Sequence, residues 1–117
     1  MVATTQILKK LQLLQEIIGE EDIGDEVTEA TISKLLSYEI EKLRRRQNQM
    51  QERLTTFEEG YSLQTEEFVR KFREGTIGDA MDFFEWAALA DMYHELSQRL
   101  TEAERVSHEC SDPVTPQ

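Results

Sequence analysis

The side chains best suited to chemistry lie in the last third of the 117-residue chain. Asp91 and His94 stand three residues apart, a spacing that brings a carboxylate and an imidazole onto one helical turn, as in half of the carboxylate-x-x-His element of di-iron bundles. Such a centre needs a second element and several more carboxylates in the core. None follows here, and both residues flank the apolar seam of Leu89, Tyr93 and Leu96 without joining it. Asp79, Asp82 and Glu85 repeat at three-residue spacing, as magnesium-binding acids can, but acids in the first turns of a helix are favoured by its dipole anyway. His108 lies near Cys110, the single cysteine, in a polar C-terminal segment where no structured pocket is expected, and one cysteine forms no intramolecular disulfide. The chain contains no P-loop, G-x-G-x-x-G, G-x-S-x-G or H-E-x-x-H pattern. The expectation is a protein without catalytic residues, metal ligands or cofactor.

The elements that would carry these residues all read as helices. Thr4 or Thr5 can cap a first helix in which Ile7, Leu11, Leu14 and Ile18 recur at +4, +3, +4, with Gly19 placed to end it. Glu20 to Glu26 is acidic and contains Gly24, so like-charge repulsion marks it as a linker. The expected organisation is an N-terminal helix over 1–19, an acidic linker over 20–27, a helical domain over 28–106 and a disordered tail over 107–117.

Thr28 is the expected cap of a long second helix. Within it Leu36, Ile40, Leu43, Gln47, Met50, Leu54, Phe57 and Tyr61 alternate +4 and +3, a heptad seam that fits a coiled coil and a core-facing helix of a monomeric bundle equally. Gln47 is the polar exception; such a residue lowers stability yet can fix register. Gly60 should close this helix. Thr65, followed by Glu66 and Glu67, should cap a short third helix in which Phe68 and Phe72 sit one turn apart, and Gly75 is its stop signal. Asp79 can cap a fourth helix whose Trp86, Leu89, Tyr93, Leu96, Leu100 and Ala103 form a second seam, widened by Phe83, Ala87 and Ala90. At about 1.5 Å per residue, 28–58 and 80–105 predict helices roughly 45 and 40 Å long. The fold class expected is all-α: a long antiparallel helical hairpin with a short helix in the connection, dimerising into a coiled-coil-like bundle. Stripes wider than one pairwise contact covers argue for a homodimer with the two Gln47 side chains near its middle.

Composition narrows the partners. The net charge is −11, distributed as −4 over residues 1–27, 0 over 28–75 and −7 over 76–117. This argues against nucleic acid, which needs a basic face, and favours a basic protein, although acidic ends also serve plain solubility. Arg44, Arg45 and Arg46 point in three directions on a helix and have Glu39, Glu41 and Glu52 nearby, so they read as a solvated, salt-bridged face. The N-terminal stretch, with Lys9 and Lys10 inside its apolar pattern, reads as neither signal peptide nor membrane span, which with the lone cysteine predicts a cytoplasmic protein. Phe83, Phe84, Trp86 and Tyr93 are the densest group of binding-type residues. Adjacent Phe83 and Phe84 point about 100° apart and cannot both be central to one contact. Phe83, Phe84 and Trp86, with Asp82 and Glu85, are therefore candidates for partner contact as well as for core packing.

The order of a heptad helix, then Thr65-Glu-Glu-Phe-Val-Arg-Lys-Phe72, then Gly78-Asp-Ala-Met-Asp-Phe-Phe-Glu-Trp86 resembles small prokaryotic proteins that act as antitoxin partners of small toxins. The resemblance spans about residues 28–103 and is most specific in the second block. It implies a protein that binds and neutralises a small toxin and carries no catalytic residues. The alternative from the residues alone is a homo-oligomeric coiled-coil adaptor.

Overall fold

The computed structural model of the chain describes residues 3–21 and 24–111. Four helices follow in order, α1 (Thr4–Glu21), α2 (Glu26–Tyr61), α3 (Thr65–Glu74) and α4 (Met81–Ser111), and the described residues contain no strand. No helix among them is long and apolar enough to cross a membrane.

The helix ends depart from the sequence expectations, each for a local reason. α1 runs through Gly19 to Glu21, because a glycine inside a helix costs only about 1 kcal/mol relative to alanine and is no obligatory stop. Glu20 is therefore helical, not linker. α2 is capped by Asp25 and not by Thr28: Asp25 Oδ1 accepts the Thr28 backbone N–H at 2.7 Å, and the Thr28 hydroxyl donates to Oδ2 at 3.0 Å. A carboxylate at the cap also meets the positive end of the helix dipole, an advantage threonine lacks. α2 passes Gly60 and ends at Tyr61; Ser62 takes the left-handed conformation, φ 52°, and the Leu63 N–H reaches back to the Glu58 carbonyl at 3.1 Å. α3 is capped by the extended backbone of Gln64, whose carbonyl accepts from the Phe68 N–H. Thr65 is its first helical residue, with its hydroxyl used elsewhere. Gly75, φ 76°, ends α3 as expected, its N–H and that of Thr76 satisfying the Phe72 and Lys71 carbonyls. α4 starts at Met81, two residues after the expected Asp79 cap, with the Ala80 carbonyl accepting from Phe83. It continues through His108 to Ser111, into the segment expected to be disordered; the Cys110 side chain and residues 112–117 lie outside the described residues.

By contacts the chain divides into two compact units, Met1–Leu35 and Leu36–Gln117. In the first, Ile7, Leu8, Leu11, Leu13, Leu14 and Ile17 of α1 are all exposed. Every buried side chain among the described residues lies in the second. α2 continues unbroken past Arg45, and on it Leu36, Leu43, Gln47, Met50 and Phe57 are half-buried while Ile40 and Leu54 are buried. On α4 Trp86, Leu89, Leu96 and Leu100 are buried and Tyr93 is half-buried. From Arg44–Glu104 through Gln47–Ser97 to Tyr61–Asp82, residue numbers on α4 fall as those on α2 rise. Gln47, expected near its own copy, has a partner inside the chain: its Nε2 donates to Ser97 Oγ at 3.0 Å.

The core proper is Leu54, Phe68, Trp86 and Leu89, ringed by half-buried Met50, Phe57, Leu63, Phe72 and Phe83. Each such side chain fully buried stabilises the fold by about 1.5–3 kcal/mol. The ion pairs between α2 and α4, Arg44–Glu104 and Arg53–Glu85, are half-exposed, and solvent screening leaves pairs of that kind little to add. Apolar burial therefore dominates, and the charges set alignment. Arg44 also meets Glu41, whereas Arg45 and Arg46 have no carboxylate partner among the described residues.

Candidate interaction surface

The site grows from the point where α2, α3 and α4 meet. Trp86 lies flat between two phenylalanines, stacked on Phe68 at 3.9 Å between ring centroids and on Phe57 at 5.4 Å. Its indole N–H donates to Thr65 Oγ1 at 3.1 Å, which is the use the threonine hydroxyl finds in place of capping. Buried indoles keep a partner for their N–H, so this bond fixes both the ring and the start of α3. Trp86 is 0% exposed. As a partner-contact candidate it is corrected: its surface is spent inside the chain.

The other candidates separate around it. Phe83 is half-buried, tilted against Tyr61 at 5.2 Å and Phe68 at 5.6 Å. Phe84, one residue on, points outward at 53% exposure and meets Phe72 of α3 only by its edge, at 5.4 Å and 89°. Asp82 accepts the Tyr61 hydroxyl at 2.8 Å, and that hydrogen bond, with desolvation and the carboxylate's charge, holds the phenol above its ordinary 10.0. Glu85 accepts from Arg53 at 3.0 Å. Both acids remain exposed, each with one oxygen engaged.

One feature of α4 escaped the sequence reading. Met81 is 82% exposed and Met92 50%, and with Phe84 and Ala88 they recur at +3, +4, +4, so they share one face. Asp82 and Glu85 border this stripe on one side and Asp91 and Glu95 on the other, all exposed. Helical periodicity alone could have found it: the seam residues leave 81, 84, 88 and 92 on a different face. Methionine is a usual gap-filler of cores, which masked the signal.

Asp91 and His94 lie on the wall of an open cleft of about 490 Å³ between α2, α3 and α4, near Tyr93, Ser97 and Glu58. Asp91 pairs loosely with Arg73 at 3.7 Å rather than with His94. Asp79, Asp82 and Glu85 are not drawn together, since Asp82 and Glu85 turn to different residues of α2. Among the described residues no three His, Cys, Asp or Glu side chains converge as metal ligands, and no polar or charged residue is buried. What the surface offers chemically is apolar contact inside a negative field. No family model, curated protein or solved structure matches the sequence.

Proposed function

We propose that this chain is a non-catalytic protein-interaction module that binds a basic protein along the exposed face of α4, in the manner of an antitoxin covering a small toxin. In this reading α2 and α4 form an antiparallel helical hairpin closed by α3, and the hairpin is a rigid platform for the stripe. The observation that carries it is the row of Met81, Phe84, Ala88 and Met92 between two lines of acids. A half-exposed aromatic gives a rigid anchor and flexible methionines adapt to a partner's surface. The acidic rim would steer a positively charged partner and suppress others, an effect that weakens as salt shortens the Debye length.

The occupant that fits is an amphipathic basic segment, apolar toward Phe84 and cationic toward Asp82, Glu85, Asp91 and Glu95. Co-expression with the product of an adjacent small basic reading frame tests it. The expected result is co-purification and rescue of growth by the unmodified chain, both lost on Phe84→Asp while far-UV circular dichroism stays unchanged. Retention of binding by Phe84→Asp together with Met92→Asp would reject the surface. An adjacent product that neither slows growth nor co-purifies would reject the antitoxin reading.

A further inference from the structure

α1 carries an apolar face that is exposed among the described residues. Ile7, Leu11 and Leu14 are each about half exposed, at 45%, 46% and 50%, and Leu8 and Ile17 beside them are exposed as well. An 18-residue helix with such a face is marginal alone in water and gains stability by burying it.

The charges of α1 indicate what covers it. Lys9 and Lys10 lie in its first half, Glu16 and Glu20 in its second, and none of the four has an ion-pair partner among the described residues. The spacings, six residues or more between any lysine and any glutamate, are too long for pairing along the helix. Elsewhere such pairing is frequent: Lys42–Glu39, Arg70–Glu67 and Arg105–Glu109 all sit three or four apart. The apolar positions are, moreover, symmetric about the middle of the helix. Laid antiparallel on a second copy, Ile7 comes level with Ile18 of the other helix, Leu11 with Leu14 and Leu8 with Ile17, while each basic half lies beside an acidic half and the helix dipoles oppose. A parallel pair would set lysines level with lysines and glutamates with glutamates. An anionic bilayer fits the face less well, because the acids outnumber a membrane helix's usual basic border.

We infer that α1 is a self-association helix, pairing antiparallel with α1 of a second copy of this chain through Ile7, Leu11, Leu14 and Ile18. This pairing uses residues of α1 and none of the α4 stripe, so a dimer forms without any other protein.

Sedimentation equilibrium of the full chain at micromolar concentration should give twice the chain mass. Leu11→Lys with Leu14→Lys should halve that mass with the core intact, as read by the fluorescence of Trp86. In a Cys110→Ser background, a mixture of Leu11→Cys and Leu14→Cys chains should form the mixed disulfide faster than either variant crosslinks with itself. Charge reversal at Lys9 and Lys10 to Glu should weaken the dimer at low salt, and reversal of Glu16 and Glu20 to Lys in the same chain should restore it. A monomeric unmodified chain would overturn the inference, most clearly if it bound phosphatidylglycerol vesicles. Persistence of the dimer in the double lysine variant would overturn it too, and preferential self-crosslinking of Leu11→Cys would reject the antiparallel arrangement.

Discussion

Replacing Trp86 by alanine is the sharpest test of how this fold is held. The indole is fully buried, lies between Phe57 and Phe68, and supplies the donor that satisfies Thr65. Truncating a buried tryptophan costs about 3–5 kcal/mol through lost transfer energy and the cavity left behind. The stacked pairs add about 0.5–1.5 kcal/mol beyond area. Against a total stability of about 5–15 kcal/mol, a loss near 4 kcal/mol removes a large part of the margin. For a urea slope near 2 kcal/mol/M the unfolding midpoint, followed by far-UV circular dichroism, should fall by about 2 M. Trp86→Phe separates the contributions: it keeps a ring between the two phenylalanines and removes only the N–H, for about 1 kcal/mol. Thr65→Val should cost less in that background than in the unmodified chain, because the bond it would break is already gone. A midpoint for Trp86→Ala within about 0.5 M of the unmodified chain, on the same slope, would refute the placement of this ring at the centre of the core.

Ser62→Gly should raise stability by about 0.5–1 kcal/mol, since glycine relieves the left-handed strain at φ 52°, while Gly75→Ala, at φ 76° with open space around a new Cβ, should lose about 1 kcal/mol from backbone strain alone; both are read from urea midpoints. The Thr28 backbone N–H, then its hydroxyl, holds the Asp25 carboxyl below its ordinary 3.8. The folded value is the lower one, so this cap's contribution is present above the ordinary value and is lost as pH falls through the folded one. Protection of the Thr28 amide, taken relative to its intrinsic exchange rate, should therefore fall as the pH drops below the ordinary 3.8, and Asp25→Asn should abolish that pH dependence. His94→Ala should leave both the melting temperature and partner binding nearly unchanged, because the side chain is exposed on the cleft wall; a stoichiometric metal lost on that substitution would contradict this.

The helical class was legible because both seams keep their +3 and +4 spacing over many turns, and packing rewards that regularity wherever a helix starts. The ends were less legible. Asp25 competes with Thr28 three residues away, Ser62 with Gly60, and the outcome depends on which geometry lets the following segment turn into the core. The role of Thr65 could not be read locally either, since its partner Trp86 is 21 residues away. For the same reason Gln47 could be recognised as an exception in its seam but not matched to Ser97, 50 residues on. Of the candidate contact residues, Phe84 lies on the exposed face of α4, whereas Trp86 became the centre of the core: an aromatic at helical spacing carries no mark of which side it will bury. Met81 and Met92 were passed over because an exposed methionine and a core methionine look alike in a sequence.

The Gln47–Ser97 hydrogen bond interrupts the apolar packing between the core of Leu54, Phe68, Trp86 and Leu89 and the buried Ile40 and Leu100 beyond it. Opening free energies vary along a structure with local apolar burial, so the second unit need not open all at once. The aromatic end, clamped by three helices, is the last to yield. The stretch around Ile40 and Leu100 rests on two helices and should exchange its amide protons at a lower free energy. Tension applied at Ser111 would then peel α4 from its far end and stall at the glutamine, leaving Trp86 enclosed.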